Sequence, residues 1–209
     1  IDAANYNTGL GVDIFAALTS GDNNIAIGFN SANALTTGLN NIFVGSNAGD
    51  AITTANNNVA IGHKALTVET AGNANTAVGY SALENQNHTG GGNSYNIAMG
   101  FKAGEATTTG VNNSFLGSLS GYSNTTGESN VFVGASAGNS NTTANYNTAI
   151  GVSALEANTT GAGNTAIGAE SLAANTEASN NTGVGLNALD AATTGLSLIH
   201  ISEPTRPSQ

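Results

Sequence analysis

Histidine and carboxylate supply most acid–base and metal chemistry in proteins, and this 209-residue chain holds three histidines, thirteen acids and no cysteine. His63 and His88 have no partner at a zinc-ligand or catalytic-triad spacing, and His200 lies in a tail of different composition. Carboxylates recur at one place in the pattern described below, as Asp50, Glu84, Glu105, Glu156 and Asp190, but successive copies mostly do not both carry one. That spacing keeps like charges apart. Calcium requires about six to eight converging oxygens, so these carboxylates read as a solvated face. The glycines form no phosphate-binding fingerprint. The residues therefore lead to an expectation of no enzyme, no metal and no cofactor.

Amides and hydroxyls remain, and they are placed with strict regularity. The pattern Asn-x-x-apolar-Gly occurs eleven times, anchored on Asn7, Asn24, Asn41, Asn58, Asn75, Asn96, Asn113, Asn130, Asn147, Asn164 and Asn181. Each anchor is followed four residues on by glycine: Gly11, Gly28, Gly45, Gly62, Gly79, Gly100, Gly117, Gly134, Gly151, Gly168 and Gly185. The spacing is 17 residues throughout, except for 21 between Asn75 and Asn96. Such a period means one supersecondary unit copied along an axis, with each copy burying its apolar side against its neighbours. Stacked asparagines can hydrogen-bond along the axis as a structural ladder.

Seventeen residues are too few for helical or leucine-rich repeats. The expected fold class is all-β, a parallel β-solenoid or β-roll of about eleven 17-residue coils. With the anchor as position 1, positions 2 to 4 read as a strand, for example Ile42-Phe43-Val44, and the glycine of position 5 ends it. Threonine dominates position 13, which together with position 14 is expected to form a second short strand.

Positions 3 and 9 exchange volume. Phe43, Phe115 and Phe132 go with Gly49, Gly121 and Gly138, whereas Ala60, Ala77, Ala149 and Ala166 go with Leu66, Leu83, Leu155 and Leu172. A close-packed compartment can be filled from either wall but not from both. Ala26 with Ala32 and Ala98 with Gly104 leave a gap that nearby Phe29 and Phe101 are expected to fill. Position 4 is apolar in every copy yet must face away from position 3. A thin coil has one inside, so the second face implies a homo-oligomer, a symmetric dimer or trimer.

The formal net charge is −10, and Lys64, Lys102 and Arg206 are the only basic residues apart from histidine, so no basic stripe exists for a nucleic acid. No apolar run is long enough to span a membrane as a helix. The start at Ile1, without methionine or signal peptide, suggests a fragment of a longer chain. One repeat domain is expected over 1–195. From Leu196 the register stops, and Leu196–Arg206 resembles a translated sequencing-library adapter, so 196–209 is expected to be a non-native, disordered tail. The insertion Asn85–Gly92 should bulge as a loop, which makes Asn85, Gln86, Asn87 and His88 candidates for contact with an unidentified host-surface or matrix ligand.

Stretches such as NTAIGVSALEANTTGAGNTAIGAESLAANT, from Asn147 to Thr176, resemble the 17-residue repeats of bacterial and phage tail-fibre-like proteins. They are also similar to the head repeats of YadA-type trimeric autotransporter adhesins, whose period is shorter. The resemblance covers Asn5 to about Gly195 and implies a left-handed, homotrimeric, extracellular fibre on a cell or virion surface. Its implied function is structural and adhesive. The alternative is binding to ice or another crystal surface through threonine files such as Thr36, Thr53 and Thr70.

Overall fold

The computed structural model describes residues 4–191 and 197–201. Twelve three-residue strands form a single parallel sheet in chain order: β1 (Thr8–Leu10), β2 (Ile25–Ile27), β3 (Ile42–Val44), β4 (Val59–Ile61), β5 (Thr76–Val78), β6 (Ile97–Met99), β7 (Ser114–Leu116), β8 (Val131–Val133), β9 (Thr148–Ile150), β10 (Thr165–Ile167), β11 (Thr182–Val184) and β12 (Ile199–Ile201). The molecule is a β-solenoid whose coils repeat every 17 residues, as the pairing of Thr8 with Ile25 and of Ile25 with Ile42 shows. The four extra residues between β5 and β6 leave the register intact, Thr76 pairing with Ile97.

Alternation along each strand sorts the side chains. From β2 to β11 the middle residue is buried and its neighbours are half-buried or exposed. Position 5 turns the chain with φ between 123° at Gly185 and 148° at Gly11, a region that side chains avoid. A Cβ at Gly45 would stand 2.4 Å from the carbonyl oxygen of Gly62, so backbone conformation and close stacking both demand glycine.

The shared compartment of positions 3 and 9 is directly visible. A Cβ on Gly121 would meet the Phe115 ring at 2.5 Å, and one on Gly49 would meet Phe43 at 2.4 Å. Position 9 keeps a left-handed backbone even where it is leucine, with φ of 54° at Leu66 and 55° at Leu155. Burying the leucine side chain, at about 1.5–3 kcal/mol, outweighs the roughly 1–2 kcal/mol of that conformation. Phe29 and Phe101 do not fill the two gaps, because both rings are about half exposed. Phe115 from the following coil reaches back instead, and a Cβ on Gly104 would meet its ring at 2.6 Å. In the coil of Ala26 and Ala32, Leu35 is the large buried side chain.

The second strand expected at positions 13 and 14 is not formed. Three successive amides converge on one carbonyl, those of Thr125, Thr126 and Gly127 on Thr142 O at 2.8, 3.3 and 3.3 Å. A strand points successive amides to opposite sides, so this geometry is a bend. The β-propensity of threonine is overridden because its hydroxyl joins the same carbonyl, Thr125 Oγ1 at 3.1 Å.

The tail also departs from expectation. Ile199–Ile201 adds to the sheet as β12, pairing with Thr182, Gly183 and Val184 at the usual 17-residue offset. Ile199 and Ile201, both β-branched, suit a strand added beside β11. Of 196–209, positions 196 and 202–209 lie outside the described residues.

Candidate functional site

The anchor asparagines work as a relay between side chain and backbone. Each Oδ1 accepts the N–H of the next anchor, at 2.8 Å for Asn24 on Asn7, 2.9 Å for Asn41 on Asn24 and 3.0 Å for Asn181 on Asn164. Nδ2 of most anchors closes its own coil on the position 15 carbonyl, as Asn24 does on Gly38 at 2.8 Å and Asn147 on Gly161 at 2.9 Å, whereas Asn75 Nδ2, beside the insertion, is buried without a partner. Direct amide-to-amide bonds are fewer, for example Asn41 Nδ2 to Asn24 Oδ1 at 3.0 Å. Except for half-buried Asn7 the anchors are buried, so this file holds the fold and offers little to a ligand.

Behind it stands a second interior file, at position 12, which sequence reasoning missed. Over the described residues it begins as Leu18, Leu35 and Ile52, passes through Glu69, Gln86 and Thr107, and ends as Asn124, Asn141, Asn158 and Asn175. Asn141, Asn158 and Asn175 each donate from Nδ2 to the preceding member of the file at 2.8, 2.9 and 2.9 Å. The burial spacing was present in the sequence, but the change of residue type along the file concealed it.

Glu69 is fully buried, and its Oε1 accepts the N–H groups of Thr70, Ala71 and Gly72 at 2.9, 3.1 and 2.7 Å. The same carboxylate receives the His88 N–H at 3.2 Å, which ties the insertion to the coil before it. The four loop candidates do not share one exposed surface. Gln86 is an interior residue whose Oε1 accepts Asn96 Nδ2 at 2.7 Å, and Asn87 Oδ1 accepts the Thr70 hydroxyl at 3.0 Å. Asn85 donates to the Glu105 carbonyl at 3.0 Å, and His88 Nδ1 is buried. Within Asn85–Gly92 the exposed residues are Asn85 and Thr89–Gly91.

Two of the position 10 carboxylates pair locally. Glu84 meets Lys64 at 3.1 Å and Glu105 meets Lys102 at 3.0 Å. Burial opposes the charged form of Glu84, yet hydrogen bonds from Ser81 and Lys64 hold its carboxyl below the ordinary range. Hydrogen bonds to their partners raise the ammonium groups of Lys64 and Lys102. Among the described residues no three His, Cys, Asp or Glu side chains converge as a metal would need. No helix of the described residues is long and apolar enough to cross a membrane.

The threonine file of position 13 is committed internally. Thr36, Thr53, Thr108 and Thr142 each donate a hydroxyl to the threonine carbonyl 17 residues on, at 3.0 to 3.1 Å. A single exposed threonine file, Thr37, Thr54, Thr109, Thr126, Thr143 and Thr160, remains at position 14.

The outer face of the sheet is a continuous apolar surface. Ile27, Ile61, Met99, Leu116, Ile150 and Ile167 project from position 4 and are exposed, while Val44, Val78 and Val133 are half-buried. Beside them runs position 6, where His63, Tyr80 and Phe101 stack with ring centroids 5.4 Å apart at each step. Positions 2, 4 and 6 carry no Asp, Glu, Lys or Arg in any coil. Charge begins at position 7, where Lys102 lies 5.9 Å from the Phe101 ring and 5.7 Å from that of Tyr122. No protein-family model matches the chain, and no curated protein matches it as a relative. The class defined by the fold is that of β-solenoid repeat proteins.

Proposed function

We propose that the chain is a structural and adhesive segment of an extracellular fibre, in which copies of the chain pack side by side, as a homotrimer, through the outer face of the sheet. The observation that carries this reading is that uncharged face, repeated on eleven successive coils. At about 4.8 Å per strand it is roughly 50 Å long, and at about 10 Å wide it presents on the order of 500 Å². That is at the upper end of the apolar patches that monomeric proteins expose, about 300–600 Å², which are often functional. The resemblance to trimeric adhesin heads and tail-fibre repeats supports three as the number and an extracellular setting. Multivalent display along a rod then supplies avidity for a surface ligand.

Lattice binding by threonine has weaker support, because the hydroxyls of position 13 are already donated to backbone carbonyls. Light scattering after size exclusion tests the proposal. The native chain should have the mass of three copies, and Ile61→Lys with Met99→Lys and Ile150→Lys should give a folded monomer. A native chain that stays monomeric at high concentration rejects the reading, and thermal hysteresis would favour the lattice alternative.

A further inference from the structure

In the regular coils of the amide half, the position 15 carbonyl gathers two side-chain amides. Gly127 O accepts Nδ2 of the anchor Asn113 at 2.8 Å and Nδ2 of the position 12 residue Asn124 at 3.1 Å. Gly161 O takes Asn147 and Asn158 in the same way, each at 2.9 Å. The oxygen also lies against position 15 of the preceding coil, since a Cβ on Gly110 would stand 2.4 Å from Gly127 O. The coil that begins at Asn75 departs from this plan. A Cβ on Gly72 would meet side chains instead, Glu69 Oε2 at 2.5 Å and Ser94 Oγ at 2.8 Å. The insertion has drawn the backbone carbonyl away. The two amides that would use it, Asn75 Nδ2 and Gln86 Nε2, are buried without a hydrogen-bond partner, and so is Ser94 Oγ.

Asn96 fixes which end of each amide faces this place. Its backbone N–H donates to Asn75 Oδ1 at 3.3 Å, and its Nδ2 donates to Gln86 Oε1 at 2.7 Å. Turning either amide over would set N–H against N–H, so both present their NH2 groups. By the register of the coils, two NH2 groups, a hydroxyl and a carboxylate oxygen meet where other coils hold one backbone oxygen. Buried polar groups of native proteins are satisfied by protein or by ordered water. A cation is repelled there by the two NH2 groups, and an anion by Glu69. What fits is a neutral group of oxygen size that both accepts and donates.

From this we infer that a single buried water molecule is bound here as a substitute for the position 15 carbonyl oxygen. It accepts from Asn75 Nδ2 and Gln86 Nε2, donates to Glu69 Oε2 and shares a hydrogen bond with Ser94 Oγ. Its partners are within the roughly two to four that buried waters make. Glu69 Oε2 already accepts the His88 N–H at 3.2 Å and has a second lone pair for the water. The water ties the anchor of this coil to the carboxylate that holds the insertion. Thr89–Gly91 can therefore depart from the repeat on the outside while the interior files stay closed. The site lies within one copy of the chain and is independent of side-by-side packing.

The test is magnetic cross-relaxation from water in the full chain, isotope-labelled at its Asn and Gln side chains. The NH2 groups of Asn75 and Gln86 should show cross-peaks to water with the sign of a bound molecule. Those of Asn113 and Asn124, which share Gly127 O, should show none. Absence of the cross-peak at Asn75 or Gln86 overturns the proposal. Ser94→Ala removes one partner of the water and any relay through exchange of the hydroxyl proton with solvent. Cross-peaks that persist in this variant support the bound water, and cross-peaks that vanish with the hydroxyl reject it. If the variant fails to fold, a crystal structure of the native chain at atomic resolution decides. A water oxygen within hydrogen-bonding distance of Asn75 Nδ2, Gln86 Nε2 and Glu69 Oε2 supports the inference, whereas a protein acceptor or a metal ion in that place rejects it.

Discussion

The early and the late coils share one outline but fill position 12 by opposite means. Near the N-terminus the file is hydrocarbon, with Leu35 and Ile52 fully buried, and near the C-terminus it is amide, with Asn124, Asn141, Asn158 and Asn175 equally buried. In the amide half each position 12 Nδ2 also reaches the position 15 carbonyl of its own coil, Asn158 on Gly161 at 2.9 Å and Asn175 on Ala178 at 3.0 Å. That carbonyl already accepts the anchor, as Gly161 accepts Asn147 at 2.9 Å, and a carbonyl has two lone pairs for two donors. A repeated interior site can therefore hold a polar residue provided its neighbours in the file hold one too. The boundary between the two halves is marked by Glu69, Gln86 and Thr107 and by the insertion, where the relay bond from Asn96 to Asn75 lengthens to 3.3 Å.

The largest effect should come from emptying the compartment beside each kind of file. Phe115→Ala should cost about 4–5 kcal/mol in urea unfolding, because its ring serves the spaces of both Gly121 and Gly104 beside a fixed amide file. Phe43→Ala, flanked by Leu35 and Ile52, should cost nearer about 3 kcal/mol because those side chains can lean into the space. Adding Gly121→Leu to Phe115→Ala should recover part of the loss, and strict additivity in the cycle would mean that the two side chains do not share a volume.

Next in size is a single break in the amide file. Asn141→Leu leaves the Asn124 oxygen and an Asn158 donor without partners and should cost roughly 2–4 kcal/mol. Leu35→Asn places one amide in the hydrocarbon half and should cost a similar amount. Replacing Asn124, Asn141, Asn158 and Asn175 together by leucine should cost less than Asn141→Leu alone, since both partners of each bond go at once. A cumulative loss across the four would refute the idea that the file acts as a unit.

A smaller effect is expected at the boundary. Glu69→Gln retains shape but weakens the carboxylate contacts to Thr70, Gly72 and His88, and should cost on the order of 1–2 kcal/mol. Hydrogen exchange should report it first at His88–Gly92, and unchanged protection there would show that Glu69 does not hold the insertion.

The smallest effect is electrostatic. Glu84 has a lowered carboxyl in the folded state, so its contribution is present above the unfolded value of about 4.3 and is lost as pH falls through the folded value. Melting of the native chain and of Glu84→Gln should differ slightly at neutral pH and converge well below pH 4, about the limit set by an exposed pair.

Much of this architecture was legible in the residues because each coil repeats the same physical problem. The period, the inward position 3, the outward position 4 and the corner glycines all rest on identical or equivalent residues at fixed spacing. Position 12 was illegible for the opposite reason, since Leu35, Glu69 and Asn141 share burial but no side-chain chemistry. The threonine strand was misread because propensity counts residue types and not the number of donors that gather on one carbonyl. For the insertion, composition indicated a loop but not that Gln86 would turn inward, which depends on Asn96 awaiting it one coil later. The outer face was visible as a periodic stripe, whereas the substance that covers it is written in no single coil.

The uniform 17-residue offset between paired strands also bears on how quickly the chain can fold. Parallel sheets are ordinarily slow because their partners lie far apart in sequence, but here most partners are 17 residues apart in a chain of 209. Taking that offset as the mean separation gives a relative contact order of about 0.08, within the range of helical bundles. The loop closed at each step has nearly the same length, so coil formation should spread from any nucleus like a zipper at a nearly constant entropic cost per step. The one longer step, from Asn75 to Asn96, is where that spread should pause.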